Sequence, residues 1–125
     1  MDSITKFFQS GDWKGEKHVP VIHVPDEVKV GEAFELGVSI GDAVAHPNTL
    51  EHHISWFKVF YFEDDGKFPV ELATFDFTSH GESGAFNEPV GKTLVKLNKC
   101  GTIYAVSYCN IHGLWESSEK ITVKE

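Results

Sequence analysis

The chain is short of cysteine, of methionine and of positive charge, and it has no long apolar run. Each shortage excludes something. The two cysteines, Cys100 and Cys109, flank the strand-like stretch "TIYAVSYC", which when extended separates them by roughly 30 Å, against about 6 Å for a disulfide. Both are therefore expected as free thiols, as a reducing compartment would keep them. Eleven basic residues against nineteen acidic ones give a formal charge of −8, and the basic residues are scattered singly. That excludes a surface that tracks phosphates, and with it nucleic acid as a partner. No run approaches the length of a membrane span, and "MDSITKFFQS" carries an early acid and lacks the apolar core of a signal peptide. The expectation is a soluble, cytoplasmic protein with no membrane partner. There is also no repeat, low-complexity tract or linker, so residues 1–125 read as one domain, large enough to bury a core without staples. Any metal would then serve function more than folding.

What is present is alternation. Phe34, Leu36, Val38 and Ile40 fall on one face of "FELGVSI", and Ile103 and Ala105 share a face with Cys109, which is the period of half-buried strands. Further strands are expected at "HVPVIHV" (18–24), "HISWFKVFYF" (53–62), "PVELATFDF" (69–77), "KTLVKL" (92–97) and "KITVK" (120–124), separated by turn-rich segments such as "EDDGKF" and "HGESGAFNEP". An all-β sandwich of about seven strands follows. The first seventeen residues show no strand pattern and are expected to drape over the sandwich or to make a subunit contact.

Seven histidines punctuate this pattern. Five of them fall in three short segments, "GEKHVP" (15–20), "AHPNTLEHH" (45–53) and "CNIHG" (109–113). Each segment begins or ends an expected strand, so three loops can converge at one end of the sandwich. Cys109 and His112 offer a thiolate and an imidazole on one short turn; Gly113 lets the backbone turn away, and a metal would hold Cys109 deprotonated on its core-facing side. His52 and His53 cannot both point inward on extended backbone, because successive side chains take opposite faces. His46 is biased towards an extended conformation by Pro47. In "GEKH", Gly15 would allow a mobile loop to carry a carboxylate ligand. One histidine from the first segment, two from the second, and Cys109 with His112 make five donors. That is more than a tetrahedral structural zinc takes, and a five-coordinate site with an open sixth position suits iron and chemistry. His23 and His80 are expected at the surface, and Cys100 as a structural thiol.

In this order, "EKHVP", "HPNTLEHH" and "SYCNIHGLW" resemble the superoxide reductases, specifically the single-iron, neelaredoxin type. The resemblance spans most of the chain. It implies an immunoglobulin-like β-sandwich, with His18, His46, His52 and His112 as equatorial ligands of one non-haem iron and Cys109 as the axial one, which leaves His53 outside the set. It implies further that Glu16 binds the ferric iron at the sixth position, and that Lys17 attracts superoxide and places the water that protonates the peroxide. A rubredoxin or similar small iron protein as electron donor and a homotetramer are also implied. The two-iron relatives carry an additional domain with a four-cysteine centre, for which two cysteines do not suffice.

The reaction so implied is one-electron reduction of superoxide to hydrogen peroxide. A blue-copper electron carrier is the main alternative, since it too pairs an upstream histidine with a late Cys-x-x-His. Such sites add an axial methionine after the last histidine, and here the methionine is Met1. A partner-binding sandwich without metal, and an iron protein that dismutates superoxide, complete the alternatives.

Overall fold

The structure is a computed structural model and describes residues 2–125, so Met1 lies outside the described residues. Eight strands follow in chain order: β1 (Val21–His23), β2 (Glu27–Lys29), β3 (Phe34–Ser39), β4 (Ile54–Glu63), β5 (Val70–Asp76), β6 (Val90–Val95), β7 (Gly101–Cys109) and β8 (Gly113–Lys124). They form two sheets, one ordered β1-β3-β6 and the other β2-β8-β7-β4-β5. All pairings are antiparallel except β2 with β8.

The alternating residues explain why the sheets pack. Leu36 and Val38 of β3 meet Phe57 and Val59 of β4, Ile103 and Ala105 of β7 and Ile121 of β8 in one cluster, nearly all of it sealed from solvent. Burying side chains of this size stabilises by about 1.5–3 kcal/mol each. Phe77 stands edge-on to Phe57, with ring centroids 5.0 Å apart. Gly101 is required where β7 begins: a Cβ there would lie 2.4 Å from the Phe62 carbonyl oxygen.

Several expected boundaries shift. Only Val21–His23 of the 18–24 stretch pairs as a strand; His18, Val19 and Pro20 are buried ahead of it. The last strand is not the five residues 120–124 but twelve, beginning at Gly113, and β2 has no counterpart among the expected strands. Its three residues exist as a strand only through parallel pairing with β8. Cys100 and Cys109 are free thiols at opposite ends of β7. The N-terminal segment does drape: after a short 3-10 turn at Ile4–Phe7, Gln9 pairs with the β8 backbone beside Trp115. No helix among the described residues is long and apolar enough to cross a membrane.

Candidate metal centre

Three loops close over the end of the sheets where β4 starts and β7 ends. The first, residues 11–20, carries His18. Buried Ser107 on β7 donates its hydroxyl to the His18 carbonyl at 3.1 Å, and the Trp115 ring lies flat against the His18 ring at 4.9 Å, 14° from parallel. The second, residues 40–53, joins β3 to β4 and carries His46, His52 and His53. The third is the turn from β7 to β8, with Cys109 at its start and His112 just before Gly113, whose φ of 83° suits glycine.

The four rings stand at the corners of a near-square. Neighbouring centroids are 4.9 Å (His18–His46), 4.8 Å (His46–His52), 5.0 Å (His52–His112) and 4.7 Å (His112–His18), and neighbouring planes cross at 54° to 78°. The His18–His52 diagonal of 6.5 Å is close to that of a square on those sides. Cys109 Sγ lies 3.5 Å from His46 Nε2 and 3.9 Å from His112 Nδ1, and it accepts the backbone N–H of His112 at 3.4 Å. Donor atoms of His18, His46, His52 and Cys109 fall within 4.8 Å of one another.

The inner nitrogens of His18 and His46 have a reason to keep their lone pairs. His18 Nδ1–H donates to Glu16 Oε1 at 2.6 Å, and His46 Nδ1–H donates to the Pro47 carbonyl at 2.6 Å, which leaves Nε2 of both rings unprotonated and directed inward. His18 Nε2 and His112 Nδ1 face each other at 3.1 Å. His52 Nε2 is buried with no hydrogen-bond partner, an arrangement that costs free energy unless something fills it. Burial pushes His46 down to about 4 and is also the largest cause lowering His52, where the nearby His112 adds to it. Neutral imidazoles crowded around a thiol are a donor set for a metal cation and poor company for one another. The residues fit a single transition-metal ion.

Glu16 sits on the outer side of this square: its Oε1 accepts both the ring Nδ1–H and the backbone N–H of His18. The bond from His18 is the largest cause holding its carboxyl below the ordinary range. Lys17 is half-buried, and its charge is among the smaller causes that lower Glu16, His46 and His52. His53 points away, its Nδ1–H donating to the Thr49 carbonyl at 2.9 Å. The expectation for His80 is corrected here. It is buried, not at the surface, because its ring stacks on His53 at 3.4 Å and its Nε2–H satisfies the Phe77 carbonyl at 2.8 Å. His23 is exposed, bonded to Ser39 and Asp42.

Sequence reasoning overlooked the supporting residues. Ser107 gave a signal, since it is the polar member of the inward row Ile103, Ala105, Ser107, Cys109. Trp115 and Gln9 gave none: the indole N–H and the Gln9 amide both donate to the His112 carbonyl, at 3.2 and 2.8 Å, and that convergence depends on the fold.

Two packed sheets with four imidazoles and a thiol at one end define an all-β protein with a single-metal centre. The desulfoferrodoxin family matches residues 10–118. A superoxide reductase from Pyrococcus abyssi is 46% identical, covering 90% of this chain and 94% of that one. The neelaredoxin of Megalodesulfovibrio gigas is 44% identical, covering 94% and 95%. A crystal structure of a candidate superoxide reductase from Thermotoga maritima superposes with a TM-score of 0.96 at 48% identity, over 100% of both chains. The chain belongs to the desulfoferrodoxin family.

Proposed function

We propose that His18, His46, His52, His112 and Cys109 would hold one iron, in a single domain spanning residues 1–125 and built on an immunoglobulin-like sandwich. The chain is a superoxide reductase with a mononuclear non-haem iron site. The observation that carries the ligand assignment is the square of four rings whose His52 Nε2 is buried without a partner.

Superoxide becomes hydrogen peroxide by gaining one electron and two protons. An iron(II) held by the four imidazoles and Cys109 would supply that electron. The protein must bring a small anion to a chain whose net charge is −8, and Lys17 is the local positive charge that does so at short range. The same ammonium orders the water that yields a proton. Glu16, besides fixing His18, is the proposed carboxylate ligand of the oxidised state. His112 is the exposed member of the square, and the rim beside it is where an external donor such as rubredoxin would pass its electron. A cytoplasmic location and a homotetramer belong to the same reading.

The test begins with metal content and the visible spectrum of protein from an iron-replete source. About one iron per chain, with a thiolate-to-iron(III) band in the red that vanishes on reduction, is expected. Zinc or no metal would undo the reading, and copper with an intense blue band would replace it with an electron carrier. Product counting then separates reduction from dismutation: reduction yields one peroxide per superoxide and consumes an external donor.

A further inference from the structure

Asn110 is the first residue beyond β7, directly after Cys109. Its side-chain Oδ1 accepts the backbone N–H of His53 at 2.8 Å, and its Nδ2 donates to the Glu51 carbonyl at 3.0 Å. Its own backbone N–H donates to the His53 carbonyl at 3.2 Å. The Glu51 carbonyl and the His53 N–H belong to the two peptide planes on either side of the His52 Cα. Peptide planes are rigid, so only φ and ψ of His52 lie between them. Holding both planes fixes the direction in which the His52 side chain leaves the backbone.

We propose that Asn110 is a positioning residue whose side-chain amide clamps both peptide groups flanking His52 and so sets the place of that imidazole relative to Cys109. The inference rests on His52 being a ligand. The regular ladder cannot do this work, because pairing between β4 and β7 ends at Ile54 and Cys109 after an irregularity between Ile54 and Trp56. Thr49 does not replace it: the Thr49 hydroxyl and N–H bond to His52 backbone groups within the same loop, which ties the loop to itself. The stack of His53 on His80 anchors the loop to the segment after β5. Asn110 joins it instead to the turn that carries the thiol.

The chemistry selects asparagine. The site needs one acceptor and one donor at a single short reach. Aspartate at the same shape keeps the acceptor but sets a carboxylate oxygen against the Glu51 carbonyl, and alanine leaves the Glu51 carbonyl and the His53 N–H without their side-chain partner.

The test uses the full iron-loaded chain and two readouts, the rate of iron release to a chelator and the energy of the thiolate-to-iron(III) band. Asn110→Ala and Asn110→Asp should each release iron about tenfold faster or more, as expected for loss of a group that orients a ligand, with the band displaced. Tyr61→Phe is the control: it removes the hydroxyl bond to the Lys99 carbonyl at the far end of the same strand pair and should lower stability with both readouts unmoved. Wild-type release and an unshifted band in the two Asn110 variants would overturn the clamp; should Asn110→Ala not fold, Asn110→Asp alone decides. His52→Ala separates the layers. Wild-type iron retention in that variant would remove His52 from the ligand set, whereas loss there with retention in Asn110→Asp refutes only the clamp.

Discussion

Glu16 offers two distinguishable jobs, and one substitution tells them apart. The carboxylate accepts the His18 ring N–H at 2.6 Å and the His18 backbone N–H at 3.0 Å. A hydrogen bond to a charged group contributes about 1.5–3 kcal/mol. The Glu16 side chain is 35% exposed and that of His18 only 8%, so water can take over part of the acceptor's role and the lower end applies. A loss of about 1.4 kcal/mol is a factor of ten in an equilibrium constant, at the foot of the 10–100-fold range for losing a group that orients a metal ligand.

Glu16→Ala is therefore expected to weaken iron(II) retention about tenfold, measured by anaerobic competition with a chelator at neutral pH. Glu16→Gln, which still offers a carbonyl oxygen to Nδ1–H, should fall between. The oxidation state is the discriminating feature. If Glu16 served only as a ligand of iron(III), the ferric spectrum would change and iron(II) retention would not. Wild-type iron(II) retention in Glu16→Ala refutes the orienting role. The acid dependence has a definite sign as well. The bond from His18 lowers the Glu16 carboxyl from its ordinary 4.5, so its contribution is complete above that value and is lost as pH falls through the lower folded one. The gap between wild type and Glu16→Ala should accordingly stay constant from neutrality down to about pH 4.5.

Three further outcomes follow from the same geometry. Burial takes His46 from 6.5 to about 4, so between those values the unfolded chain binds a proton that the native metal-free chain does not; stability of the metal-free protein in urea should fall on acidification across that window, and a flat profile would contradict the burial argument. Lys17→Ala should lower the second-order rate with superoxide severalfold at low ionic strength while iron stays bound, with the gap narrowing as salt is added; an unchanged rate would free Lys17 of its role. Gly101→Ala should cost about 3 kcal/mol, the upper end for overpacking, because the atom met at 2.4 Å is the Phe62 backbone oxygen and not a yielding side-chain tip; an unshifted urea midpoint would show that the strands can part there.

The parts of this molecule that were legible in the sequence are those encoded locally. Alternation in β3 and β7 marked their inner faces, and Cys109 lies fully buried on the row that Ile103 and Ala105 define. Strand parity allowed only one of His52 and His53 to point inward and the family resemblance made it His52; in the structure the first ring joins the square while the second turns to Thr49 and His80. What depends on distant partners escaped. β8 was read short because "GLWESSEK" has no apolar alternation: the inward Ser117 is satisfied by the Pro20 carbonyl, a partner 97 residues away. His80 looks like any loop histidine until β4 brings His53 against it.

The same division runs through the metal centre. The outer nitrogens of His18 and His46 find acceptors within two residues, Glu16 and Pro47, so "EKH" and "HP" carry their own tautomer control and their chemistry is readable as short motifs. The relative placement of the loops is another matter, and it converges on one hairpin. Ser107 holds the His18 carbonyl, Asn110 grips the backbone around His52, and Trp115 both stacks on His18 and donates to the His112 carbonyl. The β7–β8 hairpin thus acts as a common reference for three of the four imidazoles besides supplying the thiol. Substitutions along it should move ligands that belong to separate loops together, whereas changes at Glu16 or Pro47 should disturb one imidazole at a time.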